Sequence, residues 1–250
     1  MPYGLYISAE GAHAQSKRLE VIANNLANVD TVGFKRELAI FQARYAEAIE
    51  EGLIPPGEGR PEDIGGGVEF LATRTDFAPG PLKHTRQKTD MAIEGEGFFV
   101  VAKDGEQYLT RAGNFLVAAN GELRTQQGYA VLSDAGVPMV INPLDATWEI
   151  TPAGTLRQLG TAQNLAIVQP GSYAELLKMG ENLFRPLAGP EPVPIEDRRV
   201  VSGYLEGSGV KATSEMTAMV EASRVLEANI NMMKAQDQML SGLVNRVLRV

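Results

Sequence analysis

The sequence predicts an α+β fold. Long helices at the two ends of the chain pack together, and a β-rich middle domain is inserted between them in the sequence. Two observations predict it. Apolar residues recur at helical spacing at both ends. Between them, short apolar runs alternate with turn pairs such as Asp104-Gly105 and Asn120-Gly121, the pattern of antiparallel hairpins. We therefore expect an antiparallel β domain and coiled-coil-like terminal helices.

The C-terminal helix, from about Ala212 to Val250, carries the clearest pattern. Ser223 and Asp237 interrupt its apolar face, so it is not an ideal heptad zipper. A helix with a bare apolar stripe frays when isolated, which means that this face requires a partner. The pattern favours a helix among several neighbours over half of a simple dimer. One row of the face repeats every seven residues and a second adjoins it: Met219, Leu226, Met233, Leu240 and Val247, with Met216, Ile230 and Val244.

The N-terminal helix is predicted from about Tyr3 to Asn28 and carries a narrower apolar stripe. It ends among three asparagines, Asn24, Asn25 and Asn28, for which two interpretations stand. They form a helix stop and turn, or they hydrogen-bond across to neighbouring helices and fix the axial register. The stripe consists of Leu5, Ala12, Leu19, Ile22, Leu26 and Val29.

A third helix is predicted after the first, because Phe34, Leu38, Phe41, Tyr45 and Ile49 follow helical spacing before glycines and prolines break the pattern. The pattern divides the chain into a helix over 1–33, a helix and linker over 34–67, a β-rich middle domain over 68–204, and a hinge with the closing helix over 205–250. A short helix is predicted inside the middle domain from Tyr173 to Met179.

Composition narrows the possible functions. The chain has 250 residues, a formal net charge of -8 and no cysteine. A protein that binds nucleic acid or an anionic membrane needs clustered Lys and Arg, which this chain lacks. The absence of cysteine removes disulfides and thiolate chemistry. No apolar run is long enough to cross a bilayer, and the N-terminus lacks the features of a cleaved signal peptide.

Residues for catalysis are scarce. The two histidines, His13 and His84, have no Ser or acidic partner at a recognisable spacing. Gly207-Ser208-Gly209 lacks the flanks of a nucleophile elbow, and Gly95-Glu96-Gly97 lacks the rest of a dinucleotide-binding motif. The methionines near the C-terminus are typical of adaptable packing. We predict no enzyme, no catalytic residue, no cofactor and no metal.

Three stretches carry a resemblance to a known family. The first runs from Ile22 to Asn28 and continues through Thr31 to Gly33-Phe34-Lys35. The second joins Gly95-Glu96-Gly97-Phe98-Phe99-Val100 to Thr110-Arg111-Ala112-Gly113-Asn114, and the third is Leu205-Glu206-Gly207-Ser208 with Glu215-Met216. Together they resemble the signatures of the flagellar basal-body rod and hook proteins.

The resemblance implies a structural subunit that polymerises through its terminal helices into the tubular rod of the flagellar basal body, the driveshaft that passes torque from motor to hook. It implies partners among copies of the chain, other rod subunits and the type III export apparatus. It places the chain in the rod, which crosses the periplasm, after export without a cleaved signal peptide. No nucleic acid or small-molecule substrate is expected. The residues expected at the assembly interface are Leu5, Ala12, Leu19, Ile22, Asn24, Asn25, Leu26, Asn28, Gly33, Phe34, Met216, Met219, Leu226, Ile230, Met233, Leu240, Val244 and Val247.

Alternatives stay open within and outside the family. The length and the hinge from Leu205 to Lys211 resemble the proximal-rod protein that adjoins the distal rod, whereas Ile64–Val68 and Gln236–Leu240 also resemble its distal-rod paralogue. A hook-type axial subunit is a further possibility. Outside the family, a β domain could bind a ligand while the helices dimerise. A subunit of a helical assembly adds head to tail through two unlike surfaces, whereas a dimer uses one self-complementary patch.

Overall fold

A computed structural model describes residues 3–45, 49, 52, 65–142, 147–158 and 160–247, and it has the α+β architecture that the sequence predicts. The first element along the chain is the long helix α1 (Tyr3–Ala27), and the last is the long helix α2 (Ala212–Val247). The chain divides into two compact units. The first consists of Met1–Ala27, Glu37–Asp76 and Lys211–Val250, and the second of Asn28–Arg36 and Phe77–Val210.

In the first unit, α1 and α2 pack against each other in antiparallel directions. A Cβ placed on Gly4 would lie 2.8 Å from Gln236 Nε2, and one on Gly11 would lie 3.2 Å from Asn229 Nδ2. The glycines thus allow larger amide side chains of α2 to approach the α1 backbone. Ala222, seven residues before Asn229 on the same side of α2, is fully buried. The two terminal helices therefore pair within one chain, and a knobs-into-holes supercoil between them stays a prediction.

The third predicted helix is wrong over the described residues 37–44, which form a strand. β1 (Glu37–Arg44) pairs antiparallel with β2 (Gly67–Thr75), and Phe41 contacts Phe70 edge to face with ring centroids 5.9 Å apart. A bulge between Ile40 and Phe41 shifts the register. The unpaired residue of this bulge is Leu71, in β2. Within β1, the run Leu38–Phe41 is apolar and half-buried throughout, so the sequence lacks the two-residue alternation that would mark a strand. Of the linker, only Ile49, Gly52 and residues from Gly65 onward lie within the described residues.

The second unit holds the β-rich middle domain. Its largest sheet has nine strands, in the order β14-β15-β6-β5-β9-β8-β7, with β13 pairing to β5 and β16. Three smaller sheets join β10-β11-β12, β17-β4 and β18-β3, and every pairing is antiparallel. The strands are β3 (Leu82–His84), β4 (Met91–Ile93), β5 (Phe98–Lys103), β6 (Glu106–Thr110), β7 (Leu116–Val117), β8 (Leu123–Arg124), β9 (Ala130–Val131), β10 (Glu149–Ile150), β11 (Thr155–Gln158), β12 (Thr161–Asn164), β13 (Ile167–Gln169), β14 (Leu176–Gly180), β15 (Leu183–Pro186), β16 (Glu191–Pro192), β17 (Val200–Ser202) and β18 (Tyr204–Glu206).

The core of this unit lies against both faces of β5. Phe99 and Val101 belong to one buried cluster, and Phe98 and Val100 belong to another. This alternation is what a strand with two covered faces requires. The short helix predicted from Tyr173 to Met179 is wrong beyond one turn, because a 3-10 turn at Tyr173–Glu175 passes directly into β14. Among the described helices, none is long and apolar enough to cross a membrane.

Candidate functional site: the helix pair and a buried charged junction

The seven-residue row predicted on α2 is partly used inside the chain. Met219, Leu226 and Met233 are half-buried, and they lie close around the helix to fully buried Ala222. Leu240 remains 37% exposed. Most of this row therefore stabilises the helix pair of the subunit itself.

The second predicted row on α2 stays open to solvent. Met216 and Val244 are each 54% exposed, and Ile230 is 36% exposed. The side chain of Val247 lies outside the described residues. The predicted contact of Met216, Ile230 and Val244 with other subunits stays a prediction.

On α1, Ile22 is buried and the other members of the predicted stripe are half-buried: Leu5, Ala12, Leu19 and Leu26. The buried side of α1 also includes Ala14 and Val21. The stripe thus borders the buried side of the helix. Its part in contacts with other subunits stays a prediction.

Asn25 ties α1 to the strand that follows it. The side chain is 1% exposed, its Nδ2 donates to the carbonyl of Glu37 at 2.8 Å, and its Oδ1 accepts from the Glu37 amide at 2.9 Å. The same Nδ2 lies 3.5 Å from Glu215 Oε2 on α2. Asn25 therefore does reach a neighbouring helix, but that helix belongs to its own chain.

Asn28 forms part of the turn that ends α1, which is the first of the two interpretations given for the asparagines. Its carbonyl accepts from the Thr31 amide at 3.2 Å, and its Oδ1 accepts from the Thr31 hydroxyl at 3.1 Å. Asn24, by contrast, has an exposed side chain. The three asparagines thus have different surroundings despite their closeness in sequence.

The second unit contains a buried charged junction formed by Lys35, Arg111 and Glu206, hereafter the junction. Lys35 Nζ lies 2.6 Å from Glu206 Oε1, and Arg111 Nη1 lies 3.3 Å from Glu206 Oε2. All three side chains are at most 4% exposed. Each residue comes from a different one of the three stretches that carry the family resemblance, so the fold brings those stretches together at one carboxylate.

Two buried cations contact the Glu206 carboxylate, and main-chain carbonyl oxygens also lie beside them. Lys35 Nζ also donates to the carbonyl of Ala78 at 3.0 Å. Arg111 Nη2 donates to Gly95 at 2.7 Å, and its guanidinium lies 5.1 Å from the centroid of the Phe98 ring. Carbonyl oxygens and an aromatic face stabilise positive charge in this way. Arg111 Nε is buried without a hydrogen-bond partner among the described residues.

Backbone hydrogen bonds join the same segments. The Gly33 amide donates to the carbonyl of Glu206 at 2.8 Å, and the Gly209 amide donates to the carbonyl of Phe34 at 2.9 Å. Gly33 has φ +66°, and a Cβ there would lie 2.5 Å from the carbonyl carbon of Arg111. Only glycine fits this position. The segment that enters the second unit and the segment that leaves it are therefore bound side by side.

Phe34 is also internal. It is 3% exposed, and Lys178 Nζ lies 4.2 Å from the centroid of its ring. Packing inside the second unit thus accounts for Gly33 and Phe34 without a second chain. Their predicted place at the assembly interface stays untested.

Sequence reasoning included Lys35, Arg111 and Glu206 in the family stretches but did not identify them as a site. A signal was available, since each is a charged residue beside glycine or apolar residues in a stretch predicted to be ordered. Periodicity carries no information on which charges meet, because the three lie in separate parts of the chain. The arrangement is a buried structural contact.

The described residues include no group of three His, Cys, Asp or Glu side chains placed to hold a metal ion.

Comparisons with known proteins agree with this picture. Three family models match, described as flagella basal body rod protein over residues 5–35, flagellar hook protein FlgE/F/G D1 domain over 92–171, and flagellar basal body rod FlgEFG protein C-terminal over 201–246. Each of the three junction residues lies within one of these matches.

Full-length relatives match as well. The chain is similar to the flagellar basal-body rod protein FlgG of Agrobacterium fabrum, with 34% identity over 95% of this chain and 96% of the relative. It is 33% identical to FlgG of Borreliella burgdorferi over 100% of both chains, and 29% identical to FlgF of Caulobacter vibrioides over 100% of both. Identity at this level over the full length of both proteins shows that the chain belongs to the family of flagellar basal-body rod proteins.

Proposed function

We propose that this protein is a structural subunit of the flagellar basal-body rod and that it polymerises through its terminal helices. The observation that carries the proposal is the match to rod proteins over the whole chain, at 34% and 33% identity to two FlgG proteins. The family is one of axial structural proteins, in line with the expectation that the chain is not an enzyme. Copies of this chain and other rod subunits are the proposed partners.

Exposed apolar side chains on α2 support the proposed role of the helices in polymerisation. Met239 is 63% exposed, Leu243 is 58% exposed and Met216 is 54% exposed. Burial of apolar surface contributes about 25 cal/mol per Å², so a helix that leaves such residues open gains stability from a neighbour. Helices with apolar surface on more than one side are suited to an assembly in which each subunit has several neighbours.

The junction supports a mechanical role for the second unit. The segments that enter and leave this unit are bound to each other by two backbone hydrogen bonds and by the Lys35–Glu206 ion pair. Removing one partner from such a pair leaves an uncompensated buried charge, which costs about 3–5 kcal/mol. A cross-connection of this kind would hold the two segments together when the rod carries torque between the motor and the hook.

The proposal also includes the route by which the chain reaches the rod. The chain passes unfolded through the flagellar type III apparatus and along the growing axis, without a cleaved signal peptide, to its place in the rod across the periplasm. Folding at the growing tip then couples the cost of ordering the helices to their burial against subunits already in place.

A genetic replacement tests the proposed function. In the bacterium that carries this gene, we expect deletion to abolish swimming and to leave basal bodies with incomplete rods. The full chain should restore both, and a chain that ends before α2 should restore neither. Complete rods and normal swimming in the deletion strain would contradict the proposal, and would favour a binding protein outside the flagellar axis.

A further inference from the structure

The second unit ends in a stretch that is packed into its own interior. We define the closing segment as residues 198–210, which contain β17 and β18 and end where the unit ends. Its buried side chains include Arg198, Val200, Glu206 and Val210. Val200 belongs to the larger core cluster of the unit, and Glu206 is the carboxylate of the junction. The closing segment therefore supplies part of the core and one member of the junction.

Two strands early in the unit depend on the closing segment for their pairing. Among the described strands, β3 pairs only with β18 and β4 pairs only with β17, each in a sheet of two strands. The Gly203 amide donates to the carbonyl of Asp90 at 2.8 Å, directly before β4. Met91 and Ile93 of β4 are buried in the larger core cluster. If the closing segment were undocked, β3 and β4 would have no partner strand.

Arg198 fixes the start of the closing segment to distant parts of the unit. Its side chain is 3% exposed, and its Nη1 and Nη2 donate to the two carboxylate oxygens of Asp134, each at 3.0 Å. Nη1 also donates to the carbonyl of Leu165 at 2.8 Å, and Nε donates to the carbonyl of Val193 at 2.7 Å. A bidentate pair of this kind fixes the orientation of both partners as well as their distance.

The other end of the closing segment meets the stretch that enters the unit. The Lys35–Glu206 ion pair joins residues 171 positions apart in the sequence, and the contact of Arg111 with Glu206 joins residues 95 positions apart. Contacts between residues so far apart form only when a long loop has closed, which costs chain entropy. The two ends of the second unit therefore meet in its interior, and they are joined by its most widely separated charges.

We infer that the closing segment completes the second unit, and that the central nine-stranded sheet has no stable fold of its own while this segment is undocked. Without the segment, β3 and β4 lack their partner strands and the core lacks Val200. Lys35 and Arg111 also lose the carboxylate that they contact. Each of these losses opens groups that are buried in the complete unit, so the losses act together. The second unit therefore closes in one step.

Closure of this kind has a consequence for export, and that consequence rests on the proposed function. The unit is completed by contacts between residues 33–35 and the closing segment. Whichever end of the chain leaves a channel first, the second of these two stretches to emerge leaves late. A chain of which only a part has emerged would therefore stay open, and closure would follow only after the whole second unit has left the channel.

Native-state hydrogen exchange of the full chain tests the inference, because it separates local opening from opening of a whole unit. The Gly33 and Gly203 amides report on docking of the closing segment, and the Val100 and Leu132 amides report on the central sheet. We expect protection factors within about tenfold of each other, since undocking of the segment opens the whole unit. If Gly33 and Gly203 exchange more than about a hundredfold faster than the central pair, the inference is overturned.

A variant extends the test. Arg198→Lys keeps the charge but loses the fork to Asp134, and Arg185→Lys, at an exposed ion pair on β15, is the matched control. Arg198→Lys should lower the protection of all four amides by the same factor, at least about tenfold, and the control should change it less than about fivefold. A loss confined to Gly33 and Gly203, or no loss at any of the four, would overturn the inference. The wild-type comparison decides alone if Arg198→Lys does not fold. The proposed function survives each of these results, because the deletion strain tests it without regard to how the unit closes.

Discussion

At the scale of single residues, Glu206 is the charge on which most of the buried junction depends. Glu206→Gln keeps the shape of the side chain but removes the negative charge that Lys35 and Arg111 both contact. We expect the free energy of unfolding to fall by about 3–5 kcal/mol. Denaturant unfolding of the full chain measures the change.

The matched control is Glu181→Gln, which removes an ion pair with Lys103 at 3.1 Å whose partners are 33% and 49% exposed. Exposed pairs of this kind contribute about 0–1 kcal/mol. Equal losses of stability in the two variants would contradict the importance assigned to the junction.

Gly33 supplies a second prediction at this scale. Gly33→Ala combines a left-handed backbone with a Cβ 2.5 Å from the Arg111 carbonyl carbon. Gly136 has a similar φ of +75° with nothing within 4 Å of a Cβ. A left-handed backbone costs a residue with a Cβ about 1–2 kcal/mol, and this cost applies at both positions. Only Gly33→Ala adds a steric clash, so it should lower the thermal midpoint by clearly more than Gly136→Ala. Equal shifts in the midpoint would contradict the crowding at Gly33.

Glu181 also gives a prediction for pH. The Tyr129 hydroxyl, and after it Lys103, hold the pKa of the Glu181 carboxyl below its ordinary value of 4.5. A carboxyl with a lowered folded pKa stabilises the protein above its unfolded pKa, and this contribution disappears as the pH falls through the folded value. Tyr129→Phe should raise the Glu181 pKa toward 4.5, as followed by NMR of the Glu side-chain carbons.

The matched reference for that titration is Glu122, whose pKa is lowered chiefly by a hydrogen bond from Arg124. Its titration should not change in Tyr129→Phe. A Glu181 titration that also stays unchanged would show that the tyrosine is not the main cause of its lowered pKa.

At the scale of elements, the end of α1 is fixed by the strand that follows it. Asn25→Ala removes both hydrogen bonds to the Glu37 backbone, so the half-buried Glu37 amide and carbonyl each have one partner fewer. We expect a loss of about 1–3 kcal/mol in unfolding free energy. Asn24→Ala, the adjacent and exposed asparagine, should cost much less. Thermal unfolding compares them, and similar losses would mean that Asn25 does not anchor β1.

The elements also show what the sequence could predict. The predicted bounds of α1 and α2 are confirmed within a few residues, because a helical period in the sequence defines each of them. The helix predicted over 34–49 is wrong at β1 because the run Leu38–Phe41 is apolar and half-buried on both faces of the strand, so no two-residue alternation marks it. The strand exists through its pairing with β2, and that pairing joins residues that are far apart in sequence.

At the scale of the whole molecule, the family was predictable from the three stretches that carry the resemblance, but their meeting at Glu206 was not. Local patterns define helices and strands, whereas the junction depends on how three distant segments cross in the folded unit. For the same reason the sequence predicted an apolar seam on α2 without separating the residues that pair with α1 from those that stay exposed. In the structure Met219, Leu226 and Met233 are half-buried, whereas Met216 and Val244 are exposed.

The central claim is that this chain is built into the flagellar rod through its terminal helices. Electron cryo-microscopy of intact basal bodies from the bacterium that carries the gene tests it most directly. The account predicts density for this chain in the rod, with α1 and α2 of neighbouring subunits in contact. A map in which the chain is absent from the axis, or in which its terminal helices touch no other subunit, would contradict it.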